Sequence, residues 1–224
     1  MSNYRLTDEQ RQLKEAARRF AEEKLRPIAL ETERKGAPMP REALKLMAEH
    51  GYLGLDIPAE YGGLGLDIMG CAIVLEELSS VWFSASTNAM TLLTGPLLAF
   101  GTEEQKQKYL PGIVSGDILT AFALTEPDAG SDASSIQSFA KQDGDDWIIN
   151  GRKIYITNGA RADVIVLFAR TEKDAPRGEG ITLFLIDRGT PGFSVGQRYD
   201  MLAHTANPVA ELVFDDCRVP SSCI

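Results

Sequence analysis

The sequence is short of the residues that make ready-built reactive centres. Its 224 residues hold two histidines, His50 and His204, and three cysteines, Cys71, Cys217 and Cys223. The histidines are far apart and no cysteine pair has metal-ligand spacing. A histidine-rich zinc centre is excluded, and the cysteines read as free thiols in a reducing compartment. Positive charge is also scarce: 23 Lys and Arg against 32 Asp and Glu give a net charge of −9. That balance runs against a bulk preference for nucleic acid or an anionic membrane surface. No run approaches the roughly 18 apolar residues of a membrane span. The N-terminal MSNYRLTDEQ has neither an apolar h-region nor a small-residue cleavage pattern, so the chain reads as neither membrane protein nor secreted precursor. No strand leads into G-x-G-x-x-G. The glycines of GYLGLDIPAEYGGLGLD lack a Walker lysine and a preceding strand, and read as a packing loop.

What is present divides in two. Residues 1–118 carry helical periodicity. Thr7 with Gln10 and Thr102 with Gln105 have capping-box spacing. Leu13, Ala17 and Phe20 fall on one face of a first helix that ends near Pro27. A second helix fits residues 41–50, with Ala43, Leu44, Met47 and Ala48 inward and Gly51 as a stop. Another runs from Met69 to about Ser79. Residues 81–99 suggest one buried helix, and a short one ends near Pro111. Residues 119–224 instead alternate short β-branched runs with turns. WIINGRKIYIT, with Asn150-Gly151 at its centre, reads as a two-residue hairpin. EKDAPRGEG (172–180) reads as a hairpin loop on a solvated face. No helix-length crossover separates the strands, which points to antiparallel pairing. The expected fold is α+β, with an N-terminal all-helical domain (1–118) and an antiparallel β-barrel or sandwich (119–224).

Two segments of the β half could carry chemistry. In ALTEPDAGSD, Thr125 ends a strand before a turn containing Glu126, Pro127, Asp128, Gly130, Ser131 and Asp132. This is either an ordered turn or a loop that holds a ligand with its hydroxyls. In KIYITNG, Tyr155 and Thr157 lie two apart, so a regular strand presents them on one face. That face suits a planar cofactor, and it equally suits an ordinary half-buried sheet. Arg152 and Arg161 could meet a phosphate or form surface ion pairs. His204 lies in a loop and reads as structural or exposed, and Cys217 as packing.

Six stretches in order, LTDEQRQLKEAARRFAEEKLRP, IPAEYGGLGLD, GTEEQKQKYLP, ALTEPDAGSD, WIINGRKIYITNG and AELVFDDCRVP, resemble the acyl-CoA dehydrogenases, a flavoprotein family. The resemblance runs along the whole chain. It implies a helical domain, a middle β-domain and a third, C-terminal helical bundle beyond the last residue of this chain. It implies FAD, with Phe122 and Thr125 lining the flavin and Thr125 near the pyrimidine end. Ser131 would contact flavin phosphate or the acyl-CoA, Tyr155 would cover a ring face, and Thr157 would sit beside N5. It further implies an acyl-CoA substrate and an electron-transfer flavoprotein as acceptor. The assembly expected is a homotetramer or a pairing with a homologous subunit, in cytoplasm or an organelle matrix.

Two departures stand out. The family's catalytic glutamate belongs to the C-terminal bundle, and neither Glu126 nor Asp128 matches its position. Where many relatives carry Gly-x-Arg-x-Ser-x-Thr, this chain has Ala203, Thr205, Asn207 and Val209. These departures leave two alternatives to an acyl-CoA dehydrogenase. One is a flavin oxidase or monooxygenase on the same scaffold. The other is a noncatalytic subunit completed by a partner.

Overall fold

The computed structural model describes residues 5–90 and 93–224. Two compact units emerge. One takes the described residues through Asp117 together with Ala203–Asn207; the other takes Ile118–Leu202 and Pro208–Ile224.

The helical unit begins with α1 (Asp8–Phe20), capped as its spacing requires. The Gln10 amide donates to the Thr7 hydroxyl at 3.2 Å, and the Thr7 amide donates to the Gln10 side chain at 3.0 Å. Such a cap is worth about 1 kcal/mol. The chain does not stop near Pro27. A π turn over Ala21–Leu25 leads into α2 (Arg26–Lys35), where Pro27 sits in the first turn and needs no amide proton. Gly36 ends α2 in the left-handed conformation. Next comes α3 (Arg41–Glu49), which buries Ala43, Leu44 and Met47, and then α4 (Ile68–Val81), capped by Asp67.

The single helix expected over 81–99 is two short ones, α5 (Phe83–Ala89) and α6 (Thr94–Phe100). Thr91 and Leu92, inside that expectation, lie outside the described residues. The break before α5 is Trp82, which is extended and donates its indole N–H to Glu33 at 2.8 Å. The last helix, α7 (Glu103–Val114), has the Thr102–Gln105 capping box and runs through Pro111. Pro111 is exposed, so water can serve the carbonyl its missing amide leaves open.

The second unit is a curled, mostly antiparallel seven-stranded sheet. Its strands are β1 (Thr120–Ala123), β2 (Phe139–Asp143), β3 (Asp146–Thr157), β4 (Val164–Arg170), β5 (Ile181–Asp187), β6 (Phe193–Tyr199) and β7 (Val209–Pro220). The path runs β1-β4-β2-β3-β7-β6, with β5 on β4. One joint differs from the antiparallel expectation: β1 pairs with β4 in parallel, and so does β2 through Phe139 and Arg170. The crossover that a parallel pair needs is supplied here by the β2–β3 hairpin instead of a helix. Ile149, Leu167, Phe184 and Leu212 are fully buried in the core of this unit, each contributing about 1.5–3 kcal/mol.

The hairpin lies elsewhere than Asn150-Gly151. Asp143 pairs with Asp146 around Gly144-Asp145, and Gly144 takes φ +65°. Positive φ at the first central residue suits the strand twist. Asn150 and Gly151 lie inside β3, at a register shift against β7. There the Asn150 side chain accepts from the Asp216 amide at 2.9 Å and donates to its carboxylate at 3.1 Å. A Cβ on Gly151 would meet the Ser138 Oγ at 2.1 Å. This glycine serves a close approach of two strands, and the sequence pair Asn-Gly looks the same in both settings.

Candidate functional site

At the end of β1 the chain makes a tight turn in which Glu126 and Ala129 exchange backbone hydrogen bonds of 2.9 and 3.2 Å. Pro127 presets the first corner of that turn. The Thr125 carbonyl accepts the Ile154 amide at 2.9 Å, so the loop is tied directly to β3. The tie falls at a β-bulge. Lys153 opposes Leu212 and Ile156 opposes Ala210, which leaves Ile154 and Tyr155 facing the single residue between.

Tyr155 takes φ +56°, a left-handed conformation that costs a bulky residue roughly 1–3 kcal/mol. The residue is 61% exposed, and its ring packs 4.8 Å from the Tyr199 ring. The bulge interrupts the simple alternation that would put Tyr155 and Thr157 on one face. The residues beside them are themselves cross-strand partners: Tyr155 packs on Tyr199, Thr157 pairs with Val209, and Val209 pairs with Tyr199. Thr125 and Thr157 are half-buried, and among the described residues neither hydroxyl is committed to a protein partner.

The other expected residues are placed less tightly. Phe122 is half-buried on β1 with its ring 5.0 Å from that of Phe168. Ser131 is exposed at the far end of the turn. The neighbouring Asp132 accepts the hydroxyls of Ser134 and Ser135 and the Arg177 guanidinium, the last at 2.7 Å. Those two hydroxyls, against a small opposing effect of burial and with Arg177 adding, hold its carboxyl down to about 2. The 172–180 loop is therefore tied by Arg177 to the turn that carries Ser131. Arg152 forms a surface ion pair with Glu211 at 3.2 Å.

A buried ion pair lies beneath the candidate residues, and the sequence reading assigned it no role. Lys153 is 0% exposed and Glu126 5%. The Lys153 ammonium donates to Glu126 at 2.6 Å and to the Leu124 carbonyl at 3.0 Å. Glu126 also accepts the amides of Gln137 at 2.5 Å and Ser138 at 3.0 Å. Burial pushes the Glu126 carboxyl up, but the Gln137, Lys153 and Ser138 donors outweigh it and leave it below the ordinary value. Burial pulls the Lys153 ammonium down, and Glu126 opposes that fall. The signal was available: Lys153 lies four residues after the inward-facing Ile149, so a lysine holds an inward position of an apolar strand.

The divergent segment joins the helical unit. Asn207 is fully buried; it donates to the Ser84 carbonyl at 3.0 Å and accepts from Asn88 at 2.8 Å. Thr205 donates to Glu33 at 2.9 Å. His204 takes φ +65°, with Nδ1 3.1 Å from the Ser84 hydroxyl and its ring against Phe83. Burial draws its pKa below the usual value, with Glu33 opposing. It is half-buried and held by these contacts. Cys217 is buried in the β core, which pushes its thiol up to about 11.

The chemistry of this set suits a flavin: an open aromatic ring and two hydroxyls with no protein partner among the described residues, joined through the Ile154 amide. Comparisons with known proteins bear on the chain as a whole. The N-terminal domain of acyl-CoA dehydrogenase matches residues 7–117, and the middle domain of acyl-CoA dehydrogenase matches residues 121–217. An acyl-CoA dehydrogenase of Bacillus subtilis is 39% identical over 97% of this chain and 58% of its own length. Butyryl-CoA dehydrogenase from Megasphaera elsdenii superposes with a TM-score of 0.90 at 36% identity, over 99% of this chain and 59% of that one. A chain in a solved structure described as the electron transferring flavoprotein of Acidaminococcus fermentans superposes with a TM-score of 0.91 at 40% identity, over 99% and 59%. The chain thus spans under three-fifths of the length of these relatives.

Proposed function

The chain belongs to the acyl-CoA dehydrogenase family, and on that premise we propose that it forms the helical and middle parts of an enzyme that dehydrogenates an acyl-CoA thioester between its α and β carbons. The cofactor is FAD, which when bound supplies the two-electron acceptor that no side chain provides. The observation that carries this reading is the junction of Thr125 with the Tyr155 bulge through the Ile154 amide. It ties a hydroxyl of the β1 turn to the aromatic ring and hydroxyl at the end of β3.

Each residue then has a task. Thr125 and Thr157 would hold the ring by hydrogen bonds, Thr125 near the pyrimidine end and Thr157 beside N5. Tyr155 would cover a face of the ring, and Phe122 would line it. Ser131, exposed beside the Asp132–Arg177 pair, meets a phosphate of the cofactor or the acyl-CoA. Bound FAD would accept the β-hydrogen as hydride, and these residues would orient the ring for that transfer. The α-proton goes to a carboxylate base. Glu126 is not that base, because its oxygens are taken by Lys153 and two amides. We assign the base to a C-terminal helical part of the family's architecture, and the onward electron acceptor to an electron-transfer flavoprotein. Among the described residues no helix is long and apolar enough to cross a membrane. The working assembly is an oligomer of like or homologous subunits.

An anaerobic titration tests the reading. Purified full chain is mixed with FAD and then with straight, branched and cyclic acyl-CoAs. Retention of FAD with bleaching of its long-wavelength band by one acyl class supports the reaction and defines the substrate. Failure to bind FAD even with the C-terminal part supplied refutes it.

A further inference from the structure

We propose that the buried Lys153–Glu126 pair is a positioning clamp that sets the separation between Thr125 on one side and Tyr155 and Thr157 on the other. The inference rests on the flavin reading of those three residues and adds what holds them. Three chain segments converge on the pair. Lys153 reaches back across the sheet to the Leu124 carbonyl and the Glu126 carboxylate, the residues flanking Thr125. Its neighbour Ile154 holds the Thr125 carbonyl. Glu126 is in turn fixed by the amides of Gln137 and Ser138, at the entry to β2.

A buried ion pair is a weak source of stability, since a well-packed apolar pair of similar volume serves as well. Its distinct property is direction. Two charge-assisted bonds from Lys153 fix where Leu124 and Glu126 lie relative to it, and two more, from the Gln137 and Ser138 amides, hold the Glu126 carboxylate, so Thr125 is fixed relative to Ile154. Tyr155, next along, is held in a left-handed conformation that an unrestrained tyrosine leaves. An apolar pair would fill the space and release that geometry. A binding site needs such support, because contacts a single ångström too loose lose much of their worth. Lys153 and Glu126 touch no reacting atom in this account; they act through Thr125, Tyr155 and Thr157.

The test separates filling from positioning. Lys153→Met leaves Glu126 buried without its cation. The double variant Lys153→Met with Glu126→Gln removes both charges. Three quantities are read on the full chain: the melting temperature, the hydrogen-exchange rate of the Ile154 amide without flavin, and the dissociation constant and visible spectrum of added FAD. Lys153→Met is expected to lower the melting temperature, speed exchange at Ile154 and weaken FAD by about tenfold or more. The double variant is expected to regain the melting temperature while Ile154 stays fast and FAD stays weak, with a shifted flavin band. Recovery of all three together would overturn the proposal, as would an Ile154 amide that stays protected in Lys153→Met. Where Lys153→Met fails to fold, Glu126→Asp, which keeps both charges and shortens the reach by one methylene, is read in the same way. If the parent chain takes up no FAD even with the C-terminal part supplied, the cofactor reading falls while exchange at Ile154 still decides the clamp.

Discussion

Gly151→Ala is the most demanding test of the β unit. Its new Cβ would lie 2.1 Å from Ser138 Oγ, 2.4 Å from Ser138 Cβ and 2.7 Å from Ser138 Cα. Ser138 has little freedom to retreat. Its amide is held by Glu126 at 3.0 Å, and its carbonyl accepts the Arg170 amide at 2.8 Å. Overpacking of this kind costs about 1–3 kcal/mol. Gly151 also takes φ +154°, which residues with side chains rarely adopt; that adds roughly 1–3 kcal/mol. The sum, about 4 kcal/mol, lowers the melting temperature by roughly 8–16 °C for a protein of this size. The assay is thermal unfolding followed by circular dichroism, with two glycines as references. Gly144→Ala meets no neighbour but keeps φ +65°, and should cost about 1–2 kcal/mol. Gly130→Ala meets nothing and has no positive φ, and should stabilise by about 0.4–1 kcal/mol. Adding Ser138→Gly to Gly151→Ala should recover part of the loss, because two of the three close atoms are removed. A Gly151→Ala protein that melts within about 2 °C of its parent, or no more weakly than Gly144→Ala, would refute the close-approach argument.

Tyr155→Gly releases the left-handed backbone, so the flavin-free chain should gain about 1 kcal/mol in urea unfolding while its affinity for FAD falls; a loss of stability would show that the conformation is not strained. Thr157→Val keeps shape and removes one hydrogen bond, so stopped-flow flavin reduction should slow by about three- to tenfold, and an unchanged rate would remove Thr157 from the site. Glu77 is buried in the helical unit and bonded to Arg18 at 2.8 and 3.1 Å. The Arg18 hydrogen bonds, with Lys14 adding and burial opposing, hold its carboxyl below the ordinary value. Its contribution is therefore complete above the unfolded carboxylate range and lost as pH falls through the lower folded value. Glu77→Gln should make acid unfolding less steep across that window; superimposable stability–pH curves would contradict the assignment.

The features legible in the sequence were those whose partners are close along the chain. Thr7 and Gln10, or Thr102 and Gln105, meet three residues apart, so a capping box in the sequence became one in the structure. The buried faces of α1 and α3 followed from periodicity for the same reason. The misreadings arose where a distant segment decides what a local pattern does. Asn150-Gly151 carries the strongest short hairpin signal, yet Ser138 and Asp216 turn it into a bulge inside β3. Trp82 stands extended at the end of a helical run, and its indole proton goes to Glu33, 49 residues away, a partner that no local pattern reveals. The candidate site follows the same rule. Thr125 and Thr157 could be singled out by motif, but what joins them is Lys153 acting across a gap of 27 residues on Glu126. A lysine inside an apolar strand was visible as an anomaly. Its meaning required knowing which carboxylate the fold would bring beneath it, and that depends on the parallel joint of β1 to β4 that local reading did not foresee. Thr125 and Thr157 could therefore be named as candidates from their motifs, whereas the ion pair beneath them becomes visible only once the sheet is assembled.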